Sequence, residues 1–351
     1  MNTLVLSYSD TKRLVQLVGM DTIMLDCIER LRKGLLATVD SPGVGRCPPR
    51  SGFVIKEEAG SGIIENMPYF DDERGMTLKT ISYKPRNNTA HRLPTVIGTI
   101  CRYNSSNGEL TAICDATIPT AIRTGAATAL ASSFLARPDA HIVGVIGAGL
   151  QSVTQIHGLS TQFDLDHIRA YDVDAERSRS LQHRCPFTSA AFDLASTPSE
   201  AVSGADIVVT ATSVSPGTGP VFPDEHLAEH LHINSIGADE PGKTELPRSV
   251  MERSYVCVDH IDQALKEGEC QILQRKDIDA TLQDLVVAAS TDPKPSAQTN
   301  VLSVFDSTGF AFEDHLALDV FLDYAADTGI GDKIPILDGP IGLHSPYSLP
   351  A

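Results

Sequence analysis

Apolar and polar positions follow two different rhythms along the chain, changing near Thr120. Before that point come short β-like runs at 52–56, 62–67, 76–83, 95–103 and 110–115. Asn107-Gly108 between the last two is a strong hairpin signal, and sequential strands with tight turns predict an antiparallel sheet. Ahead of them, Asp21 to Ala37 carries apolar residues at helical spacing, with Asp21 placed to cap the start. A Gly/Pro-rich break over 41–50 separates this helix from the strands.

After Thr120 an Ala-rich helical stretch, 120–137, ends before Pro138. Strands then alternate with helical patterns: His141 to Ile146, His167 to Asp172, Asp206 to Ala211, Leu231 to Ile236, Tyr255 to Val258 and Leu302 to Phe305. Their nearly continuous Val/Ile content predicts a parallel sheet covered on both faces. A final amphipathic helix, about Phe312 to Asp327, should stop at Gly329. No repeat or low-complexity segment interrupts the pattern. The predicted division is 1–120, joined by about 312–351, against 121–311.

Composition narrows what such a fold can do. With 28 basic and 45 acidic residues the net charge is −17, which repels phosphate backbones and argues against nucleic acid or an anionic membrane as partner. Seven dispersed cysteines without a Cys-x-x-Cys pair suit reduced thiols. The N-terminus lacks a basic, then apolar, leader, and no run approaches the ~20 apolar residues of a membrane span. A cytoplasmic protein is expected.

The clearest motif is Val145-Ile-Gly147-Ala-Gly149-Leu-Gln-Ser152. A strand running into glycines and then a helix presents backbone N–H groups and a positive dipole end to a pyrophosphate. Ser152 stands where the fingerprint has its third glycine. Asp172, ending the next strand, can accept from a ribose 2′-hydroxyl and would repel a 2′-phosphate, which favours NAD over NADP. The fold class expected is therefore α/β: a Rossmann-type doubly wound parallel sheet beside an α+β domain with an antiparallel sheet.

Several charges stand in apolar surroundings. Asp239 follows the fourth strand of the parallel sheet, where it either faces the nicotinamide crevice or serves as a turn carboxylate; spacing does not decide. Lys243 and Glu245 read more readily as a solvated or capping pair. Glu65 and Lys79 interrupt apolar strands, and Arg123 interrupts the Ala-rich helix. A buried charge needs a partner or a ligand. Arg50, Lys79 and Arg123 can clamp a substrate carboxylate, or Glu65 and Lys79 can form an internal ion pair, and the two readings stand level. His226-Leu-Ala-Glu229-His230 fits an inverted zinc-protease pattern, but room for only one helical turn and the lack of a third ligand argue against a metal.

Longer stretches then carry a resemblance. They are Leu93-Pro-Thr-Val-Ile-Gly-Thr, Thr124-Gly-Ala-Ala, Ala136-Arg-Pro-Asp, Gly147-Ala-Gly-Leu-Gln, Gly237-Ala-Asp-Glu-Pro-Gly-Lys-Thr-Glu-Leu-Pro, Lys266-Glu-Gly-Glu and Val304-Phe-Asp-Ser-Thr-Gly-Phe-Ala-Phe-Glu-Asp. Over nearly its whole length the chain resembles the ornithine cyclodeaminase/μ-crystallin family, most of all its lysine-cyclising branch.

The resemblance implies a homodimeric, NAD-dependent enzyme acting on a small amino acid. It implies Arg50, Lys79, Thr95 and Arg123 on the substrate carboxylate, Glu65 at the amino groups, and Asp239 as the acid/base. It implies Thr124, Gly147, Gly149, Leu150, Gln151 and Asp172 at the cofactor, with Lys243 and Ser307 at its rim. Ala238 stands where ornithine enzymes carry a second glycine. The implied reaction turns L-lysine into L-pipecolate and ammonia, with a hydride borrowed from Cα and returned after ring closure. Ornithine to proline and ketimine reduction are the alternatives, and a non-catalytic binding protein is disfavoured by the intact Asp239 and Glu65.

Overall fold

The computed structural model describes residues 2–39, 46–57, 60–84, 86–292 and 297–336. Most of the predicted break (41–45) and the tail beyond 336 lie outside them. From the N-terminus come β1 (Thr3–Leu6), α1 (Tyr8–Val18), α2 (Met20–Ala37), β2 (Ser51–Glu57), β3 (Gly60–Asp71), β4 (Gly75–Tyr83), β5 (Val96–Tyr103), β6 (Leu110–Asp115) and α3 (Thr117–Leu135). The alternating part follows: β7 (Ile142–Ile146), α4 (Leu150–Ser160), β8 (His167–Tyr171), α5 (Ala175–Arg184), β9 (Ala191–Leu194), α6 (Pro198–Val202), β10 (Ile207–Thr210), β11 (His232–Ser235), α7 (Arg248–Arg253), β12 (Tyr255–Val258), α8 (Ile261–Glu267), β13 (Ala280–Thr281), α9 (Leu282–Thr291) and β14 (Ser303–Asp306). Helix α10 (Ala311–Thr328) and β15 (Asp332–Ile334) end the described chain.

Two sheets result. The first has the order β15-β1-β6-β5-β4-β3-β2. The antiparallel expectation holds from β2 through β6 but fails at β1, which lies parallel to β6 with Leu4 opposite Ala112. Two helices leave β1 before any neighbouring strand forms, and a crossover of that kind is what parallel pairing requires. The second sheet is wholly parallel, β13-β12-β14-β11-β10-β7-β8-β9. Strand order reverses around β7, so a crevice opens at the carboxyl ends of β7 and β10, where ligands settle in such sheets.

Helices α3 and α10 lie between the sheets and are apolar for that reason. In α3 the buried residues run nearly unbroken from Ala121 to Ser132. Helix α10 departs from its predicted amphipathic character: every residue from Ala311 to Phe321 is buried, because α2, α3, β3 and β4 all pack on it. It ends, as expected, at Gly329, in the left-handed conformation of a helix C-cap. Asp21 is not a cap; Gly19 holds that position, and Asp21 reaches across to His157 of α4 at 2.8 Å.

Helices α3 and α4 cross at two glycines. A Cβ on Gly158 would lie 2.4 Å from the Gly125 carbonyl oxygen, and one on Gly125 2.2 Å from that of Thr154. Gly158→Ala therefore forces the helices apart, and overpacking of this kind costs about 1–3 kcal/mol. A lowered urea midpoint with unchanged m-value is the expected result; an unmoved midpoint would mean that the crossing yields freely.

Candidate functional site

Strand β4, helix α3 and the start of α10 bring three charges together. The Lys79 ammonium donates to both carboxylate oxygens of Asp314, at 2.8 and 2.7 Å. Arg123 donates through Nε to Asp314 (3.1 Å) and through Nη1 to Glu313 (2.7 Å). Lys79 and Asp314 are fully buried, at 1% and 0% exposure. The alternative ion pair between Glu65 and Lys79 does not form; Asp314 takes the lysine instead. Adjacent carboxylates inside an apolar helix, Phe312-Glu313-Asp314, are a sequence signal of the same kind as Lys79, absent from the residues expected at the site.

The electrostatics of this cluster favour an incoming anion. Asp314 is held below the usual carboxylate range because Arg123 and Lys79 outweigh its burial. Burial, and then the charges of Asp259 and Asp314, push Glu313 up to about 8 against the pull of Arg123. One of its oxygens, Oε1, is buried without a partner. Below that pH two cations thus face one firmly ionised carboxylate. Lys79 is itself pushed down to about 8 by burial, with Asp314 resisting.

Arg50 enters from the segment before β2. It donates to the Thr308 carbonyl at 2.5 Å and to that of Gly309, and lies 3.2 Å from Glu267 and 3.8 Å from Glu65. Most of its donors are thus committed within the protein, although Nε is buried and free of hydrogen bonds. Asp259, after β12, holds the same 307–309 loop by accepting from Gly309 N (2.5 Å), Thr308 Oγ1 (3.1 Å) and Ser307 Oγ (3.3 Å). Glu65 is raised chiefly by burial, opposed by Arg50 and reinforced by Glu267 and Asp239. Glu65 on the first sheet and Asp239 beyond β11 therefore share one cleft.

Asp239 stands in the turn after β11, 2.9 Å from Lys243, with its side chain 55% exposed. Lys243 is buried rather than solvated, and so is Glu245. Glu245 accepts from Thr210 Oγ1 (2.7 Å), Thr212 N and Oγ1 (2.6 Å each) and Gly237 N (2.9 Å). The solvated-pair expectation is corrected: both residues are buried, Lys243 against Asp239 and Glu245 among backbone and hydroxyl donors. Thr95 is half-buried at the entry to β5, and its carbonyl accepts from Lys84 N. His226 to His230 form no helix, and the described residues contain no cluster of three metal-ligating side chains.

The turn after β7 fits a dinucleotide. Gly147 has φ +89°, and a Cβ there would strike the Ala211 carbonyl oxygen at 2.6 Å. A Cβ on Gly149 would meet nothing within 4 Å, so the space above it is open. No side chain caps the N-terminus of α4 at Gly149, leaving donors for a phosphate. Asp172 accepts from Ala148 N (2.7 Å) and Asp174 N (2.8 Å), one bond per oxygen, which leaves each oxygen a lone pair for a hydroxyl. Leu150 is exposed and Gln151 half-buried on the rim, whereas Thr124 is buried and bonded to the Thr120 carbonyl at 2.8 Å. Ser307 is buried against Asp259.

The model of the ornithine cyclodeaminase/mu-crystallin family matches residues 10–329. The chain belongs to that family. It is 41% identical to an L-lysine cyclodeaminase of Streptomyces rapamycinicus over 99% of this chain and 100% of the relative. A solved lysine cyclodeaminase, studied for its recognition of L-lysine, L-ornithine and L-2,4-diaminobutyric acid, superposes with a TM-score of 0.93 at 43% identity, with both chains covered fully. An archaeal alanine dehydrogenase dimer with bound NAD gives 0.81 at 29% identity, over 96% of this chain and 100% of the other. Within a cyclodeaminase-family fold, the Lys79–Asp314–Arg123 cluster is also a structural tie. Breaking a buried pair by removing one partner costs about 3–5 kcal/mol. Asp314→Asn is therefore expected to lower the denaturation midpoint strongly; a midpoint within error of the parent would show the cations to be accommodated otherwise.

Proposed function

We propose that the protein converts L-lysine to L-pipecolate, releasing ammonia in an NAD-dependent cyclodeamination. The observation carrying this reading is the pair of opposed site halves. Buried Lys79 and Arg123, held in place by Asp314 and Glu313, suit an α-carboxylate, and two carboxylates from opposite walls share the cleft beside them. Likeness to lysine cyclodeaminases over the full chain supports the same reaction.

In this reading Lys79 and Arg123 hold the substrate carboxylate, with Thr95 and Arg50 at its edge. The hydride steps, removal from the α-carbon and return to the cyclised product, are the chemistry a bound NAD supplies. In the same reading Gly147, Gly149, Leu150, Gln151, Asp172 and Thr124 hold that cofactor, with Lys243 and Ser307 beside it. The distal amine must shed a proton before it can attack, since its ordinary pKa is ~10.4. Glu65, whose proton affinity is raised by burial, and Asp239 are the acceptors within the cleft. The same carboxylates can protonate departing ammonia. Holding both amines over one carbon makes ring closure intramolecular, an advantage of roughly several kcal/mol.

We assign 1–120 and about 312–351 to substrate binding and dimerisation, and 121–311 to the cofactor. A homodimer through the first sheet agrees with its edge strand β2, where Phe53 and Val54 are 74% and 66% exposed. Apolar side chains on both faces of a sheet edge invite a covering partner. No helix among the described residues is long and apolar enough to cross a membrane, in keeping with cytoplasmic work on a small amino acid.

Purified protein given lysine and substoichiometric NAD should release ammonia and pipecolate well beyond the cofactor present. Product limited to the nicotinamide supplied would defeat the cyclodeaminase reading. Ornithine turned over faster than lysine would reassign the substrate, a difference of one methylene worth only ~1–3 kcal/mol. The Lys79 proton sets a second expectation. Its folded value lies near 8, so Lys79 is charged below that pH and loses its charge above it, leaving Arg123 as the clamp's cation. The KM for lysine should accordingly climb between about pH 8 and 9.5. A KM flat over that range would remove Lys79 from carboxylate binding.

A further inference from the structure

The turn that carries Asp239 and Lys243 is held at its tip by one side chain from another element. Gln271 lies in the short 3-10 turn Glu269–Ile272 that follows α8. Its Oε1 accepts from Gly242 N at 2.6 Å. Its Nε2 donates to the Lys243 carbonyl at 3.1 Å and to that of Gly268 at 2.8 Å, and reaches the Glu240 carbonyl at 3.4 Å. One amide thus clasps the turn from both sides of Pro241 and anchors it to the backbone after α8.

The stem of the turn is fastened separately. Gly237 N donates to Glu245, while Glu245 N and Leu246 N donate to Glu269 at 2.6 and 3.2 Å. Between these anchors the turn makes one backbone bond of its own, Lys243 N to Glu240 O, and accepts one at Gly242 O from Gly217 N of a neighbouring segment. The Asp239 side chain is bonded to Lys243 and is more than half exposed. Its position is therefore decided by the turn's backbone.

We propose that Gln271 is a positioning residue for the reaction, holding the 239–243 turn so that Asp239 and Lys243 meet substrate and cofactor at fixed spacing. It touches neither functional side chain and acts through Gly242, Lys243 and Glu240. The inference rests on the reading of Asp239 as a proton-transferring carboxylate. A displacement of ~1 Å at a reacting group can cost as much as ~100-fold in rate.

The test uses the full-length protein with NAD and lysine. Gln271→Ala should lower kcat about tenfold or more, while the KM for lysine stays near the parent value, because the carboxylate clamp lies on other elements. Gln271→Glu keeps the acceptor for Gly242 N but turns a carboxylate towards the Lys243 and Gly268 carbonyls. Its kcat relative to the parent should therefore recover as pH falls and the carboxyl regains a proton to donate, which a general loss of folding would not reproduce. A parental kcat in Gln271→Ala, or a Gln271→Glu deficit independent of pH, overturns the proposal. Asp239→Asn separates the two readings. If it retains parental turnover, Asp239 is not the proton carrier and Gln271 positions nothing catalytic. If it is inactive while Gln271→Ala matches the parent, only the positioning role is lost.

Discussion

The structure depends on Asp314. This one carboxylate, on the buried face of α10, receives both Lys79 from β4 and Arg123 from α3. It therefore joins the first sheet to two helices that no local pattern would bring together. Three ionised groups taken out of water would each cost several kcal/mol if left alone, so the contact is tolerable only when complete. Phe310, Phe312, Leu316 and Phe321, on or next to the same helix, belong to the buried apolar core. The apolar shell excludes water, and the excluded water makes the ion cluster a fixed feature. A carboxylate ligand arriving beside Lys79 and Arg123 meets cations already oriented, with little left to reorganise.

The opposite wall of the cleft is built on a different principle. There, uncharged donors and backbone amides hold the geometry: Thr210, Thr212 and Gly237 converge on Glu245, and Ser235 with the 245–246 amides converges on Glu269. Burial, reinforced by Asp306 and Glu245, pushes the Glu269 carboxyl up to about 8, and burial pushes Asp306 to about 7. The wall is thereby spared charges it cannot pair. The two halves are complementary: one offers fixed positive charge, and the other offers a rigid frame from which Asp239 can reach out. The 307–309 loop links them, since Asp259 binds its amide and hydroxyls while Arg50 binds its carbonyls.

What the sequence revealed, and what it hid, follows the range of the interactions. The β7–Gly147–Gly149–α4 unit was legible because strand, turn and helix are contiguous, and the dinucleotide fit is a property of that segment alone. Most strands of both sheets were legible for the same reason, whereas the short β1, β9, β13 and β15 were not, because two to four residues carry too little pattern. Asp314 was not, because its partners lie 235 and 191 positions away and its helix has no polar face to reveal its setting. Glu245 was misread on local grounds: a charged residue two positions from a lysine suggests solvent, yet its donors come from the ends of β10 and β11. The parallel pairing of β1 likewise depends on a crossover that local turn chemistry does not encode.

The division between rigid clamp and suspended turn has a consequence for the chemistry. The substrate's carboxylate is invariant through the reaction, so a clamp that never moves suits it. Its two amines exchange roles: one begins as the source of ammonia and the other ends inside a ring. A carboxylate serving both must face a changing geometry while remaining correctly spaced from the carbon being attacked. Asp239, exposed at its side chain but tethered through the backbone on either side of Pro241, meets that demand better than a buried group would. In the proposed reaction Glu65, held on a strand and influenced by Arg50, is the stationary counterpart. On this view the asymmetry of burial between the two carboxylates, rather than their mere presence, allows one cleft to remove a proton from one nitrogen and return it to another.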